Sequence, residues 1–230
     1  MNTTFELVKS ARYYLEGKKD DFARIFSLSL NDLYFQTYFI TTDPNKIVDQ
    51  VLELYARVVR ETAVLESPDH IAEWLNKVVT ENNGIFIETQ RAEQLKAEER
   101  GELVPPQVPI EFLSGAEMDD AEFTVVLENA LCKLPEIHRA TALAFYYNDM
   151  STEVICECLQ TDPGTLKTRL AYIEKSVTRD IHNYCKERGY KIKAVDARRI
   201  LIALSELQKG YVFPDPNGLY RLLLTKVKIY

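Results

Sequence analysis

Glycine and proline are scarce in this chain of 230 residues, with 8 Gly and 9 Pro. That is too few for a fibrous, collagen-like or generally disordered protein. Cysteine is scarcer still, at 4 residues, so a disulfide framework is not expected. No apolar run approaches the roughly 18 residues that a membrane span requires. The opening residues, Met1-Asn2-Thr3-Thr4-Phe5-Glu6, lack the basic start and apolar core of a signal peptide. Together these absences predict a soluble, cytoplasmic chain with no membrane association. The rest of the composition is that of a globular protein, 46% apolar and 27% charged, and the length suits one to two domains.

An excess of positive charge is also missing, since the chain carries a net charge of −7. This average argues against a non-specific nucleic-acid coat. The charge is uneven, however. Residues 190–230 hold 8 basic and 3 acidic side chains, a local +5, whereas residues 117–189 hold 8 and 13. One basic face on an acidic body is compatible with DNA binding.

The first hundred residues read as consecutive helices. Leu7, Ala11 and Tyr14 recur at helical spacing, and Phe22, Ile25, Phe26, Leu30 and Leu33 do so after Asp20-Asp21. Asp43 as cap and Pro44 at the first helical position open a third helix. Its apolar residues Ile47, Val51, Leu54 and Val58 form one stripe. A fourth helix starts near Ser67-Pro68-Asp69 and carries Ile71, Trp74, Leu75 and Val78, with Trp74 expected as a core anchor. The aromatics Tyr34, Phe35, Tyr38 and Phe39 are read as core rather than as base-stacking platforms. A charged run from Arg91 to Arg100 then leads into Pro105, Pro106 and Pro109, which cannot continue a helix. The chain divides accordingly: a helical domain over 1–100, a linker over 101–116, a second helical domain over 117–189, and a basic extension over 190–230.

Residues 134–181 carry the most specific pattern. Leu134-Pro135-Glu136 starts a helix ending near Asn148-Asp149. Ser151 caps a short helix with Ile155 and Leu159 facing inward, and Gln160-Thr161-Asp162 makes a turn. Asp162 and Pro163 then open a helix whose buried stripe is Leu166, Leu170, Ile173 and Val177. Four basic residues, Lys167, Arg169, Lys175 and Arg179, stand against the single acid Glu174. Two helices, a tight turn and a basic outer side describe a helix-turn-helix. A solvated face of an ordinary helical bundle is the alternative reading of the charge alone.

The residues Leu134-Pro135-Glu136…Arg139, Met150-Ser151 and Gly164-Thr165-Leu166-Lys167-Thr168-Arg169-Leu170 resemble the promoter-binding C-terminal region of bacterial RNA polymerase sigma factors of the extracytoplasmic-function type. Asp20 to Phe26, Asp43 to Val58 and Glu73 to Val79 are similar to the family's N-terminal helices, so the resemblance spans about residues 5–187. It implies an all-α protein that recruits RNA polymerase core to promoter DNA and that is open to control by an anti-sigma factor. It implies DNA contacts from Thr165, Lys167, Thr168, Arg169, Tyr172, Lys175 and Arg179. It implies polymerase contacts from Lys46, Asp49, Gln50, Glu53 and Arg57. Two departures stand out. Where the family usually has a basic cluster, this chain has Thr80-Glu81-Asn82-Asn83-Gly84 and then Glu88, Glu93, Glu98 and Glu99. That counts against downstream promoter binding and melting, since carboxylates repel phosphates. Gln160 also stands in the turn where the family often has glycine. The alternative function is therefore a sigma-derived interaction regulator that no longer melts promoters; a structural oligomer with a fortuitous helix-turn-helix is a third reading.

No catalytic constellation is expected. Cys156 and Cys158 diverge on a helix, Cys132, Cys185, His138 and His182 complete no zinc spacing, and the glycines form no phosphate loop. The chain is read as a non-enzyme without metal or cofactor. In the extension, Ala194 to Leu207 are expected to be helical. After the turn Pro214-Asp215-Pro216-Asn217-Gly218, Leu219 to Tyr230 form a final helix or a terminal strand. The +5 charge of the extension suits docking on the acidic body, with DNA or an acidic partner as the alternatives.

Overall fold

A computed structural model describes residues 3–41, 43–61, 67–95, 117–191 and 194–227. The fold is all-α, and the only extended pairing among the described residues is an isolated parallel bridge between Glu117 and Lys191. The helices are α1 (Thr3–Leu15), α2 (Asp21–Tyr38), α3 (Pro44–Glu61), α4 (Ile71–Leu95), α5 (Asp120–Cys132), α6 (Glu136–Ala142), α7 (Thr152–Cys158), α8 (Pro163–Arg188), α9 (Ala197–Gly210) and α10 (Pro216–Lys226). The linker expected over 101–116 lies outside the described residues.

Helix starts follow their cap residues. Asp43 Oδ1 accepts from the Asn45 amide at 3.0 Å, Asp119 from Glu122, Ser151 from Val154, Asp162 from Thr165, and Asp196 from Arg199. Each satisfies an amide that a helix leaves unpaired. The Asp196 cap sets α9 to begin at Ala197, three residues later than its apolar periodicity alone suggests. Gly189, left-handed at φ 71°, ends α8. α6 runs on into one π-type turn, Leu143–Tyr147, in which the Asn148 amide reaches Leu143 O.

Two cores share the helices. The first is built from α1–α4 around Phe22, Phe26 and Tyr55. Tyr55 is fully buried, its hydroxyl held by Ser29 Oγ at 2.7 Å and by Phe26 O, and burial pushes the phenol well above its ordinary range. Trp74 is a correction to the expected core anchor. Ile71, Leu75 and Val78 take the buried stripe of α4, and the indole packs partly buried at its margin. The second core joins α5, α6, α8 and α9, and it includes Phe35 and Phe39 from the end of α2.

The extension is helical over residues 197–210 and 216–226, so the helix alternative holds from Leu219 to Lys226, while residues 228–230 lie outside the described residues. Its two helices part company: Ile200, Ala203 and Leu204 of α9 enter the second core, while Leu219 and Leu223 of α10 enter the first. Leu204 and Leu223 are both 0% exposed, and each such burial contributes roughly 1.5–3 kcal/mol.

Candidate nucleic-acid interface

The helix-turn-helix consists of α7, a turn through Gln160 and Thr161, and α8. Beneath it, Ala144, Ile155, Leu159 and Leu166 form a small core of their own. Gln160 adopts φ 45°, the left-handed region that favours glycine. The departure noted in the sequence therefore falls at a strained position. At the start of α8 the Asp162 carboxylate accepts from the Thr165 hydroxyl at 2.6 Å and the Thr165 amide at 2.9 Å. These bonds hold its carboxyl below the usual range.

Helical spacing puts Gly164, Thr168, Ala171 and Lys175 on the side opposite Leu166, Ile173 and Val177. All four are exposed, and Thr165, Lys167 and Tyr172 flank them, exposed as well. Among the described residues neither Lys167 nor Lys175 has an ion-pair partner. The result is a small, polar, cationic strip, open to solvent. Two of the expected contact residues behave differently. Arg179 is partly buried and pairs with Asp180 at 3.1 Å, which also takes Lys133 at 3.0 Å. Arg169 does not project opposite Leu166 and Leu170 as its spacing suggested. It is partly buried, and its guanidinium donates to Thr141 Oγ1 at 3.2 Å, bracing α8 on α6. Beside it, the His138 ring lies 4.9 Å from that of Tyr172. Burial, and then the Arg169 charge, lower the His138 pKa.

On α3, Ile47, Val51, Leu54 and Val58 are buried as the stripe predicts. The five residues expected to face a polymerase are largely engaged within the chain. Lys46 reaches Gln90 at 3.2 Å, and Gln50 accepts from Asn82 at 3.2 Å. Arg57 is bound by Glu61 and by Glu81, whose hydrogen bonds outweigh the effect of burial and raise its pKa. Asp49 lies 3.5 Å from Lys226 of α10, and Glu53 pairs with Arg60 at 2.9 Å. Leu52 and Ala56 fall on the Asp49 side of the helix and are buried too. Their only sequence signal was two apolar residues on a side otherwise polar.

The stretch Thr80–Gly84 is folded against the second half rather than presented to solvent. Thr80, Asn82, Asn83 and Gly84 are buried. Thr80 Oγ1 reaches Met150 Sδ at 3.6 Å, and Lys77 Nζ reaches Glu157 at 3.0 Å. A Cβ on Gly84 would lie 3.2 Å from Leu159 Cδ2 and 3.6 Å from Cys158 O. Burial, then the Glu81 charge, push the Cys158 thiol up to about 12, leaving it protonated and unreactive at neutral pH. Arg139 closes the seam by donating to Ile40 O at 3.1 Å and to Cys132 O at 2.9 Å. Sequence spacing held no sign of these contacts, since their partners lie far apart in the chain.

Among the described residues all four cysteines are free, no group of His, Cys, Asp and Glu is arranged to hold a metal, and no helix is long and apolar enough to cross a membrane. No protein-family model matches the chain. Over 139 residues, 60% of this chain, it is 24% identical to the RNA polymerase sigma factor SigV of Bacillus subtilis (strain 168), and the match covers 78% of that protein. The chain is thus distantly similar to an RNA polymerase sigma factor.

Proposed function

We propose that this protein is a sigma-like transcription initiation factor that recruits RNA polymerase core to chosen promoters. The observation that carries this reading is the open strip of α8. A major groove admits a helix whose outer side is narrow and polar, and unpaired lysines there gain from phosphate without first breaking an internal bond. Thr165, Lys167, Thr168, Tyr172 and Lys175 are the contact residues, with Arg169 holding α8 in place behind them. Arg179 lies at the strip's far end and joins only if it leaves Asp180. The distant similarity to a sigma factor supports the same reading, with core polymerase docking on the face of α3 that bears Lys46, Asp49, Gln50, Glu53 and Arg57. The protein itself performs no catalysis in this scheme.

The burial of Thr80–Gly84 against α7 favours a second reading, in which the chain is a sigma-derived interaction regulator that no longer melts promoters. One experiment separates the two: reconstitution of the full chain with core polymerase on a promoter library, scored for both binding and transcripts. Selective transcripts support the first reading. Binding without transcripts supports the second. Charge reversal at Asp49 and Glu53 together is expected to weaken retention on polymerase. Lys175→Ala is expected to weaken binding to all sequences alike and to reduce the salt slope by about one.

A further inference from the structure

The C-terminal segment is built into both halves of the molecule at once. α9 completes the second core and α10 completes the first. Between them, the Tyr211 ring lies tilted 4.8 Å from that of Tyr38, and Phe213 meets Tyr34 edge-on at 6.0 Å. The α2 residue Asp32 marks the junction. Its Oδ1 accepts from Gln208 of α9 at 3.0 Å and from the Tyr147 hydroxyl of the second half at 3.3 Å. A segment fixed in this way sets the distance between the halves. It also meets α3, because Lys226 pairs with Asp49 and Leu219 and Leu223 of α10 join the same core that buries Leu52 and Ala56.

We propose that residues 194–227 are an intramolecular clamp that keeps α4 closed against α7, and that α10 occupies the Asp49 side of α3 as an internal competitor of the polymerase. The competition rests on the sigma-like reading above; the clamping does not. A side of α3 that bears Asp49, met by a helix of the same chain that carries Arg221 and Lys226, is an exchangeable contact. The Asp49–Lys226 pair is mostly solvent-exposed and weak by itself. The clamp's hold therefore comes from the apolar residues Leu219 and Leu223, with Tyr220 lying 5.3 Å from Phe26. A partner that takes the same side of α3 displaces α10 and, with it, the tie between the halves.

The test uses the full chain in two forms, Leu219→Ser with Leu223→Ser, and Lys226→Glu. Amide exchange over residues 76–90, the scattering radius and retention on core polymerase are compared with the natural sequence. The serine pair is expected to speed exchange over 76–90 by about tenfold, to enlarge the radius and to raise polymerase retention by about tenfold. Lys226→Glu is expected to do the same to a smaller extent. If the serine pair loses its helical signal in circular dichroism, a third form with the milder Leu223→Ala decides. Unchanged exchange and radius overturn the clamp. If the natural chain holds polymerase and the opened forms hold it no better, the competition is overturned. If no form holds polymerase while exchange still rises, the sigma-like reading fails and the clamp is upheld.

Discussion

Lys77 on α4 and Glu157 on α7 lie 3.0 Å apart although 80 positions separate them in sequence. The hydrogen bond to Glu157 is the main reason that the Lys77 pKa is raised. The lysine is 36% exposed and the glutamate 66%, so solvent screens the pair and its coupling is about 0.2–1 kcal/mol. Lys77→Glu is expected to lower stability, and adding Glu157→Lys to restore it. Chemical denaturation of the four members of this double-mutant cycle measures the coupling; a value of zero removes the pair from the seam.

At Gly84, α4 lies close against the end of α7. A methyl group there meets the flexible end of Leu159, and the better helix propensity of alanine offsets that crowding. Gly84→Ala is therefore expected to be nearly neutral. Gly84→Leu has no such room, and overpacking of this kind costs about 1–3 kcal/mol. Thermal unfolding of the two variants should differ accordingly, with faster exchange over 76–90 in the leucine form.

Gln160 and Gly189 provide a matched pair of backbone tests. Gln160 is strained at φ 45°, so Gln160→Gly is expected to stabilise by up to about 1 kcal/mol. At Gly189, φ is 71° with open space around the Cα. Gly189→Ala should therefore cost about 1 kcal/mol through backbone strain alone. Equal midpoints for either variant and the natural chain in urea would contradict the assignment.

Acid should loosen the α6–α8 seam. Burial and Arg169 lower the pKa of His138 in the folded chain, so its contribution is fully present above the ordinary histidine value and is lost as pH falls through the folded one. His182, also lowered by burial, adds a loss of the same sign. Asp32 and Glu128, raised by burial, act oppositely but in the carboxylate range. Melting temperatures between about pH 7.5 and 5 should fall less steeply for His138→Gln than for the natural chain. Identical slopes would show that His138 titrates as freely in the folded state as in the unfolded one.

Helix order, helix starts and the turn of the helix-turn-helix were legible in the sequence because their causes are local. Asp43-Pro44, Ser151 and Asp162-Pro163 act within three residues, and a 3.6-residue period reports directly which side of a helix avoids water. The same local logic placed Ile47, Val51, Leu54 and Val58 correctly. It could not see which surface a helix side would meet. The guanidinium of Arg169 turned inward because Thr141 offered a partner from another helix. The apolar signature of Phe35 and Phe39 was plain, yet only the packing assigned them to the second core and not the first.

Periodicity identified α9 as an amphipathic helix and left α10 open between helix and strand, and both cores were equally apolar targets for them. Their division between the two halves, and the pairing of Asp49 with Lys226, follow from long-range packing between residues up to 177 positions apart. Such contacts leave no periodic trace in the chain, because each depends on the joint arrangement of several helices. The sequence by itself determined most of the helices and the polar strip of α8; the tertiary structure alone decided that α9 enters the second core and α10 the first, because that depends on the joint packing of distant helices.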